Sequence, residues 1–262
     1  MLIFYYGYTL VHKTLLTKYK RKIAYKHYKG KSKIGFLFFP GFNSDMLGTK
    51  AIKIYDWCKK NKIQCTLFDY SGHGKSSEKF IDTSIKEWIE DSNEILNNVT
   101  SGPQILIGSS MGGWISLKIA LLNKNKIKGI ITIAAAPDFT KRLWQEGLGY
   151  KQKEELIKNG FTSIPSEYDE KGYIITKKNI DAGNKNLVLN TKILEIKCPL
   201  RLIHGNQDEA VSWKESLKIF NKCKSLDAEL IIIKNGDHRL SSNKQLKTII
   251  FTAQSLFDVL NK

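Results

Sequence analysis

The chain has 262 residues, 42% of them hydrophobic, and a formal net charge of +17. A chain of this length forms one compact domain that buries roughly three quarters of its unfolded surface. It contains no internal repeat and no low-complexity linker that would point to further domains. The lysines are scattered through every segment without any nucleic-acid-binding motif or P-loop. We therefore interpret the charge as a codon bias and predict no nucleic-acid partner.

The N-terminal region is the most basic part of the chain. No Asp or Glu precedes Asp45, and lysines accumulate after an apolar, aromatic start over residues 1–11. The charges follow the apolar part, which is the wrong order for a secretory signal, and the apolar part is too short to span a bilayer. We predict residues 1–22 as a basic N-terminal extension, with organellar targeting or weak membrane-surface contact as the alternatives.

Strands and helices are predicted to alternate along the rest of the chain. Apolar runs predict strands near 23–28, 34–39, 63–69, 104–109, 127–134, 200–204 and 228–233. Helical spacing predicts helices near 48–61, 84–98, 111–123, 212–222 and 243–260. This alternation is typical of an α/β fold with a mostly parallel sheet between two layers of helices. We predict a single domain over residues 23–262.

The most informative motif is Gly-x-Ser-x-Gly, formed by Gly108, Ser110 and Gly112 at the end of the strand near 104–109. A strand, a sharp turn that carries a serine and then a helix form the nucleophile elbow of α/β-hydrolases. The glycines suit this turn because a Cβ at either position would clash with the neighbouring strand or helix. The motif predicts Ser110 as a nucleophile.

A serine nucleophile needs a base and an orienting acid, and in this fold the acid precedes the base along the chain. Asp208 and His238 each follow a predicted strand, where open α/β sheets place their chemistry. His238 alone among five histidines lies downstream of both Ser110 and a strand-end carboxylate. We predict a Ser110–His238–Asp208 triad, with Glu209 and Asp237 as the alternative acids.

The other histidines have structural interpretations. His12 and His27 precede the core in the basic stretch, and His73 lies in a tight, glycine-rich loop. His204 comes before Gly205 at a strand end, where we expect it to tie the turn together.

Two backbone N–H groups should stabilise the oxyanion that forms when a serine attacks a carbonyl. Met111 directly follows the predicted nucleophile, and Phe42 lies in the loop after the strand near 34–39. We therefore predict the N–H groups of Phe42 and Met111 as the oxyanion hole.

The strand and helix rhythm breaks over about 137–194, where aromatic residues mix with charges. We predict that this stretch forms a small helical lid with a short hairpin near 172–176. Trp114 and Trp144, together with the side chains of Phe42 and Met111, are the candidates for lining an acyl pocket.

The cysteines at positions 58, 65, 198 and 223 lack the close spacing of metal ligands. We interpret them as reduced thiols of an intracellular protein. The acyl-transfer chemistry needs no metal and no organic cofactor.

Several segments resemble one branch of the α/β-hydrolase superfamily: the mitochondrial palmitoyl-protein thioesterases of animals, also known as acyl-glucuronide esterases, and their bacterial relatives. The segments are FPGFNSDMLGTKA (39–51), FDYSGHGKS (68–76), GPQILIGSSMGGW (102–114), CPLRLIHGNQD (198–208) and GDHRL (236–240). The resemblance implies Ser110, Asp208 and His238 as the triad. It also implies hydrolysis of acyl thioesters or esters, including S-palmitoyl cysteine.

The sequence thus predicts a serine hydrolase similar to palmitoyl-protein thioesterases, cytoplasmic if bacterial and mitochondrial if eukaryotic. The alternative is a general carboxylesterase for small acyl or acyl-glucuronide esters, and a third possibility is a non-catalytic binding protein with the same fold. The chain departs from the branch at Asn43-Ser-Asp45 and in the lid. These departures leave the preferred acyl chain and leaving group open.

Overall fold

The computed structural model describes residues 12–165 and 172–261. Its main sheet has eight strands: β1 (Lys13–Leu16), β2 (Lys22–Tyr28), β3 (Gly35–Phe39), β4 (Gln64–Phe68), β5 (Gln104–Ser109), β6 (Ile127–Ile133), β9 (Leu200–Gly205) and β10 (Ala228–Ile233). The strands β7 (Phe161–Ile164) and β8 (Tyr173–Thr176) form a separate hairpin. The order across the main sheet is β1-β2-β4-β3-β5-β6-β9-β10. The pairs β1–β2 and β2–β4 are antiparallel, and all other neighbouring pairs of the main sheet are parallel.

The helices are α1 (Thr49–Lys60), α2 (Ile85–Asn98), α3 (Met111–Leu122), α4 (Phe139–Arg142), α5 (Tyr150–Asn159), α6 (Lys177–Asn184), α7 (Lys214–Lys222) and α8 (Asn243–Leu260). Of these, α1, α2, α3, α7 and α8 cover the two faces of the main sheet. Buried side chains of α2, α3 and α7 pack in one apolar cluster, and those of α1 and α8 pack in a second. Because successive side chains of a strand point to opposite faces, the buried strands contribute side chains to both clusters. The predicted α/β fold is confirmed, and each predicted strand and helix is present.

The strand β1 has no counterpart among the predicted elements. It pairs antiparallel with β2 at the sheet edge, and only Leu15 among its residues is half-buried, so the strand lacks a recognisable apolar alternation. Arg21 pairs with Asp91 at 2.8 Å and with Glu90 at 2.9 Å, both on α2. The described part of the predicted extension therefore packs onto the sheet. Residues 1–11 lie outside the described residues, and the predicted weak membrane-surface contact through the basic extension stays a prediction.

An insertion of small elements separates β6 from β9, at the place predicted for the lid. It contains α4, a π-helical turn over Leu143–Gly147, α5, the β7–β8 hairpin and α6. The predicted hairpin is present, and its register runs from Phe161 opposite Thr176 at the open end to Ile164 opposite Tyr173. Its own apolar cluster is small and consists of Leu148, Leu156, Ile175 and Ile180. Within the described part of the chain, no helix combines the length and apolar character needed to cross a membrane.

Candidate active site

Ser110 occupies a strained turn between β5 and α3. Its backbone angles are φ 54° and ψ −119°, in the left-handed range that non-glycine residues rarely adopt. A Cβ on Gly108 would overlap the backbone of Gly112, and a Cβ on Gly112 would overlap the carbonyl oxygens of Phe39 and Pro40. The two glycines therefore allow β5, β3 and α3 to meet closely enough to form this turn.

Backbone hydrogen bonds hold the turn against the end of β6. The N–H of Ser110 donates to the carbonyl of Ile133 at 2.9 Å, and the carbonyl of Ser110 accepts from the N–H of Ala136 at 3.0 Å. These bonds lock the strained backbone in place, as expected where strain serves a site.

The side chains of Ser110, His238 and Asp208 form one hydrogen-bonded row. Nε2 of His238 lies 3.0 Å from Oγ of Ser110, and Nδ1 of His238 lies 2.7 Å from Oδ2 of Asp208. A carboxylate only accepts, so Nδ1 carries the hydrogen and Nε2 is left to accept from the serine hydroxyl. The structure thus brings the three predicted residues together, although they are far apart in sequence.

The side chain of Asp208 is fully buried, and its carboxylate accepts several hydrogen bonds. Oδ2 contacts His238 and also Nε2 of His204 at 3.0 Å, and Oδ1 accepts from the N–H of Val211 at 2.7 Å. Burial raises the pKa of Asp208, but the hydrogen bonds from His204, His238 and Val211 and the charge of His238 outweigh it and lower the pKa to about 2. The carboxylate therefore stays ionised at neutral pH.

The two alternative acids have other surroundings. Oδ1 of Asp237 accepts from the N–H of Leu240 at 2.9 Å and so shapes its own loop. Glu209 is exposed. The contacts to His238 therefore favour Asp208 over both.

The loop after β3 lies directly beside Ser110. A Cβ built on Gly41 would lie 3.5 Å from Cβ of Ser110, and Phe42 is the next residue after Gly41. Met111 is the first residue of α3, and the N–H groups of a first helical turn have no partner within the helix. Both predicted oxyanion donors therefore belong to segments that adjoin Ser110, and their role stays a prediction.

The motif after β4 supports this loop, a role that its sequence alone did not reveal. The hydroxyl of Tyr70 donates to the carbonyl of Pro40 at 3.2 Å, and Oδ1 of Asp69 accepts from the N–H of Met46 at 2.6 Å. Both supporting side chains are buried. Asp69 and Tyr70 follow an apolar strand directly, and two polar side chains at such a place are the sequence signal that could have indicated this supporting role.

Four aromatic rings surround the ring of Phe42 edge-on. Their centroids lie between 5.1 and 5.9 Å from it and belong to Phe80, Trp88, Phe139 and Tyr173. Phe139 and Tyr173 come from the insertion, so this aromatic cluster joins the loop beside Ser110 to the insertion. Edge-to-face ring pairs at such distances are favourable beyond their buried area.

The two predicted pocket tryptophans lie in different surroundings. Trp114 is fully buried, donates its Nε1–H to the carbonyl of Asn186 at 3.2 Å and packs edge-on against Phe139. Trp144 is half-buried in the insertion and lines a cavity of about 230 Å³, together with Lys141, Gln145, Asn184 and Leu187. Substrate contact with either tryptophan stays a prediction. For Trp114 it requires the side chains packed around the ring to move.

Lys50 is a further residue near the site that sequence reasoning missed. It lies on α1, and its Nζ donates to the carbonyl of Arg239 at 2.5 Å, directly after His238. Burial lowers the pKa of Lys50 to about 8, against the opposing charge of Asp237. Lys50 thus ties the loop that carries His238 to the helix that follows the loop of Phe42.

The histidine in the glycine-rich loop is buried and neutral. Nδ1 of His73 lies 3.2 Å from the carbonyl of Ser71, and burial lowers the pKa of His73 to about 4. Its ring packs against Tyr70, Phe80 and Trp88. The described residues contain no group of three or more His, Cys, Asp or Glu side chains that could hold a metal ion.

The chain matches the family model described as serine aminopeptidase, S33, over residues 31–163. The mitochondrial palmitoyl-protein thioesterase ABHD10 of Homo sapiens is 35% identical over 240 residues, which cover 91% of this chain and 78% of that protein. This chain belongs to the ABHD10 family of α/β-hydrolases. The ABHD10 protein of Rattus norvegicus is 36% identical over 254 residues, covering 95% of this chain and 84% of that protein.

Solved structures agree with this membership in the ABHD10 family. The α/β hydrolase domain-containing protein 10 from mouse superposes with a TM-score of 0.87 at 33% identity, covering 95% of this chain and 99% of that chain. A putative hydrolase from Agrobacterium vitis gives a TM-score of 0.89 at 30% identity, covering 94% and 97%.

As a member of the ABHD10 family, the chain is a hydrolase of esters or thioesters. The predictions of an α/β-hydrolase, of an enzyme and of an acyl ester or thioester substrate are confirmed.

Proposed function

We propose that this chain is a serine thioesterase that removes long acyl groups, including palmitoyl, from protein cysteines. The observation that carries the proposal is the row of contacts from Ser110 Oγ to His238 Nε2 at 3.0 Å and from His238 Nδ1 to Asp208 at 2.7 Å. A nucleophile, a base and an orienting acid within hydrogen-bond reach are what acyl transfer through serine requires. The name palmitoyl-protein thioesterase, printed for the ABHD10 relatives, supports the acyl group.

The first half of the proposed reaction acylates the enzyme. His238 Nε2 takes the hydroxyl proton as Oγ of Ser110 forms a bond to the acyl carbonyl carbon. The N–H groups of Phe42 and Met111 donate to the oxyanion that develops on the carbonyl oxygen. The bond to the thiol sulfur then breaks, and the leaving sulfur takes the proton from Nε2.

The second half releases the acid. A water molecule gives a proton to Nε2 of His238 and attacks the acyl carbon, and the bond to Oγ of Ser110 breaks as that proton returns to the serine. Asp208 holds the imidazole through Nδ1–H and stabilises its charged form in both halves. The low pKa of Asp208, about 2, keeps it anionic throughout this cycle.

The insertion acts in this proposal as a lid over the acyl group. Its apolar cluster of Leu148, Leu156, Ile175 and Ile180 reaches the ring of Phe42, which packs against it. Displacing the insertion would therefore open apolar surface directly beside Ser110. Such surface suits an alkyl chain, because burial contributes about 0.8 kcal/mol per methylene.

A specific observation favours a second candidate, a carboxylesterase for small acyl or acyl-glucuronide esters. The space around Phe42 is filled by the rings of Phe80, Trp88, Phe139 and Tyr173. A long acyl chain has to displace some of these rings, whereas a short acyl group does not. The length of the preferred acyl group therefore separates the two candidates.

The test is a series of acyl thioesters and oxygen esters, from acetyl to palmitoyl, with wild type and Ser110→Ala compared in parallel. The proposal expects kcat/KM to rise with chain length in the wild type and to be lost in Ser110→Ala. Activity confined to short oxygen esters would establish the carboxylesterase instead. A wild type without hydrolysis, or a folded Ser110→Ala with unchanged hydrolysis, would overturn both.

The proposed location is intracellular, mitochondrial in a eukaryote and cytoplasmic in a bacterium. The mitochondrial part rests on the names printed for the animal relatives. Fractionation of cells that express the full chain should recover it with a mitochondrial matrix marker in the first case. Recovery from the culture medium would contradict the proposal.

A further inference from the structure

A second histidine contacts the same carboxylate oxygen as His238. His204 lies in β9, next to its last residue, and is fully buried. Its Nε2 lies 3.0 Å from Oδ2 of Asp208 and 2.9 Å from the carbonyl oxygen of Val211. Its Nδ1 lies 2.7 Å from Oγ of Ser216 on α7.

These neighbours fix the tautomer of His204. Both atoms beside Nε2 are acceptors, a carboxylate and a carbonyl, so Nε2 carries the hydrogen. In the neutral ring Nδ1 then has a lone pair, and the Ser216 hydroxyl at 2.7 Å is the group that can donate to it. A neutral imidazole with this tautomer has a partner on each nitrogen, which is what a fully buried polar ring requires.

We propose that His204 is a positioning residue for hydrolysis: its Nε2–H holds Oδ2 of Asp208 at the place where His238 meets it, and it shares the charge of that carboxylate. The inference rests on the proposed function, because it assigns His204 a role in the same reaction. His204 contacts neither substrate nor Ser110 in this role and acts through Asp208.

The carboxylate geometry explains why a second donor matters. Val211 N–H holds Oδ1 of Asp208, but His204 and His238 both donate to Oδ2. Without His204, His238 would be the one side chain among the described residues that is seen to donate to Oδ2, so the imidazole would help to orient the group that is meant to orient it. Errors of about 1 Å in the placement of catalytic groups cost on the order of 100-fold in rate.

Charge sharing gives the proposal a signature that simple packing lacks. A hydrogen bond from His204 draws negative charge on Asp208 away from His238. If that bond is removed, the full carboxylate charge stabilises the imidazolium form of His238. The imidazolium then persists to higher pH, and the acidic limb of the pH profile of kcat/KM moves upward.

Other charged groups surround this pair but stay the same in every variant compared. Glu215, next to Ser216 on α7, pairs with Arg142 at 2.9 Å and with Lys218 at 2.7 Å. Glu209, Asp237 and Arg239 lie on the adjoining loops, and Lys50 of α1 donates to the carbonyl of Arg239. A difference in the pH profile between variants therefore reports the change at His204.

The experiment compares His204→Met, which removes the donor at similar volume, with His204→Gln, whose amide N–H can still reach Asp208. For the full chain, kcat/KM on an acyl thioester is measured across pH and divided by the active sites titrated with a serine-directed phosphonate. We expect His204→Met to lose about 10- to 100-fold per active site and to show an acidic limb at higher pH. We expect His204→Gln to stay within about threefold of wild type with little displacement of the limb.

An unmoved acidic limb in a folded His204→Met would overturn the inference, whatever its melting temperature. If His204→Met does not fold, Ser216→Ala decides, because losing the hydroxyl weakens Nε2–H as a donor within the same hydrogen-bonded chain. A smaller upward movement of the limb would support the inference, and an unchanged limb would refute it. Failure of the proposed function is seen separately, as a wild type whose hydrolysis is absent or independent of Ser110.

Discussion

The carboxyl edge of the sheet and the insertion between β6 and β9 are held together by different interactions. At the edge, backbone contacts at Gly108 and Gly112 leave no spare room, and hydrogen bonds link the side chains from Ser110 to His204. In the insertion, a small apolar cluster holds short elements, and Tyr150 and Ile157 are 85% and 71% exposed. The edge can therefore hold the reacting atoms in a fixed arrangement, whereas the insertion can adapt to the substrate. Changes at the edge should reduce turnover, and changes in the insertion should alter substrate preference.

The largest expected effect at the edge comes from His238→Ala. Loss of the base should lower kcat by roughly 10⁴- to 10⁶-fold, because Oγ of Ser110 then has no proton acceptor. The matched control is His12→Ala, since His12 is an exposed histidine. Stopped-flow or long-time hydrolysis assays measure both, and a folded His238→Ala with more than a tenth of wild-type turnover would contradict the role of the base.

Replacing the acid should cost less than replacing the base. Asp208→Asn keeps the size of the side chain but presents the wrong partner to Nδ1 of His238, which favours the unproductive tautomer. We expect kcat to fall by roughly 10⁴-fold with KM little changed. The same measurement on Glu209→Gln should give wild-type values, because Glu209 is exposed. A larger loss of kcat in Glu209→Gln than in Asp208→Asn would identify Glu209, and not Asp208, as the acid.

The depressed pKa of Asp208 also predicts how stability depends on pH. The pKa of Asp208 is lowered in the folded protein from 3.8 to about 2, so its ionised form stabilises the fold above about pH 4 and this contribution is lost as the pH falls through about 2. The shift corresponds to roughly 2 kcal/mol at neutral pH. Denaturant unfolding between pH 7 and pH 2 should show the free-energy gap between wild type and Asp208→Asn closing over this interval. A gap that stays constant with pH would show that the carboxylate is not stabilised as described.

Glycine substitutions compare the packing of the two regions directly. Gly112→Ala places a Cβ against the carbonyls of Phe39 and Pro40, and we expect a loss of about 1–3 kcal/mol in unfolding free energy with a marked loss of activity. Gly149→Ala, in the insertion, meets only Gln152 at 3.7 Å and has an ordinary φ of −72°. It should change stability by less than about 0.5 kcal/mol. Equal losses of unfolding free energy in the two variants would contradict the tighter packing of the sheet edge relative to the insertion.

The two tryptophans provide the most specific test, and Trp144→Ala has the smallest expected effect on turnover. Trp144→Ala removes one wall of the cavity in the insertion, so it should change KM for long-chain thioesters several-fold and leave kcat within about twofold. Trp114→Ala empties a fully buried site and should instead cost about 3–5 kcal/mol of stability. Specificity constants across chain lengths and thermal melts distinguish these outcomes. A Trp144→Ala enzyme with unchanged chain-length preference would argue against the insertion as a lid.

The parts of the molecule that could be predicted are those determined by local sequence. The Gly-x-Ser-x-Gly turn requires its glycines wherever it occurs, and the strand ends before Asp208 and His238 are marked by long apolar runs. The candidate site residues were therefore accessible from chain order alone. The fold class followed from the alternation of strands and helices for the same reason.

The rest depends on contacts between distant segments. The strand β1 has one half-buried residue and exists because β2 pairs with it. The hydrogen bond between His204 and Asp208 forms because the end of β9 brings His204 next to the loop that carries Asp208. Ser216 on α7 contacts the other ring nitrogen of His204. The sequence suggested only a turn-stabilising role for His204. Its contact with Asp208 could not be predicted, because nothing in the local sequence indicates which ring nitrogen faces which acceptor.

The central claim is that Ser110 becomes acylated during turnover. The direct measurement is a rapid quench of wild type with excess acyl thioester at low pH, followed by digestion and mass spectrometry of the peptide that contains residues 104–114. The account predicts the mass of one acyl group on Ser110, together with a burst of free thiol that matches the enzyme concentration. Continuing turnover with the acyl group on another residue, or with no acyl-enzyme at any quench time, would contradict it.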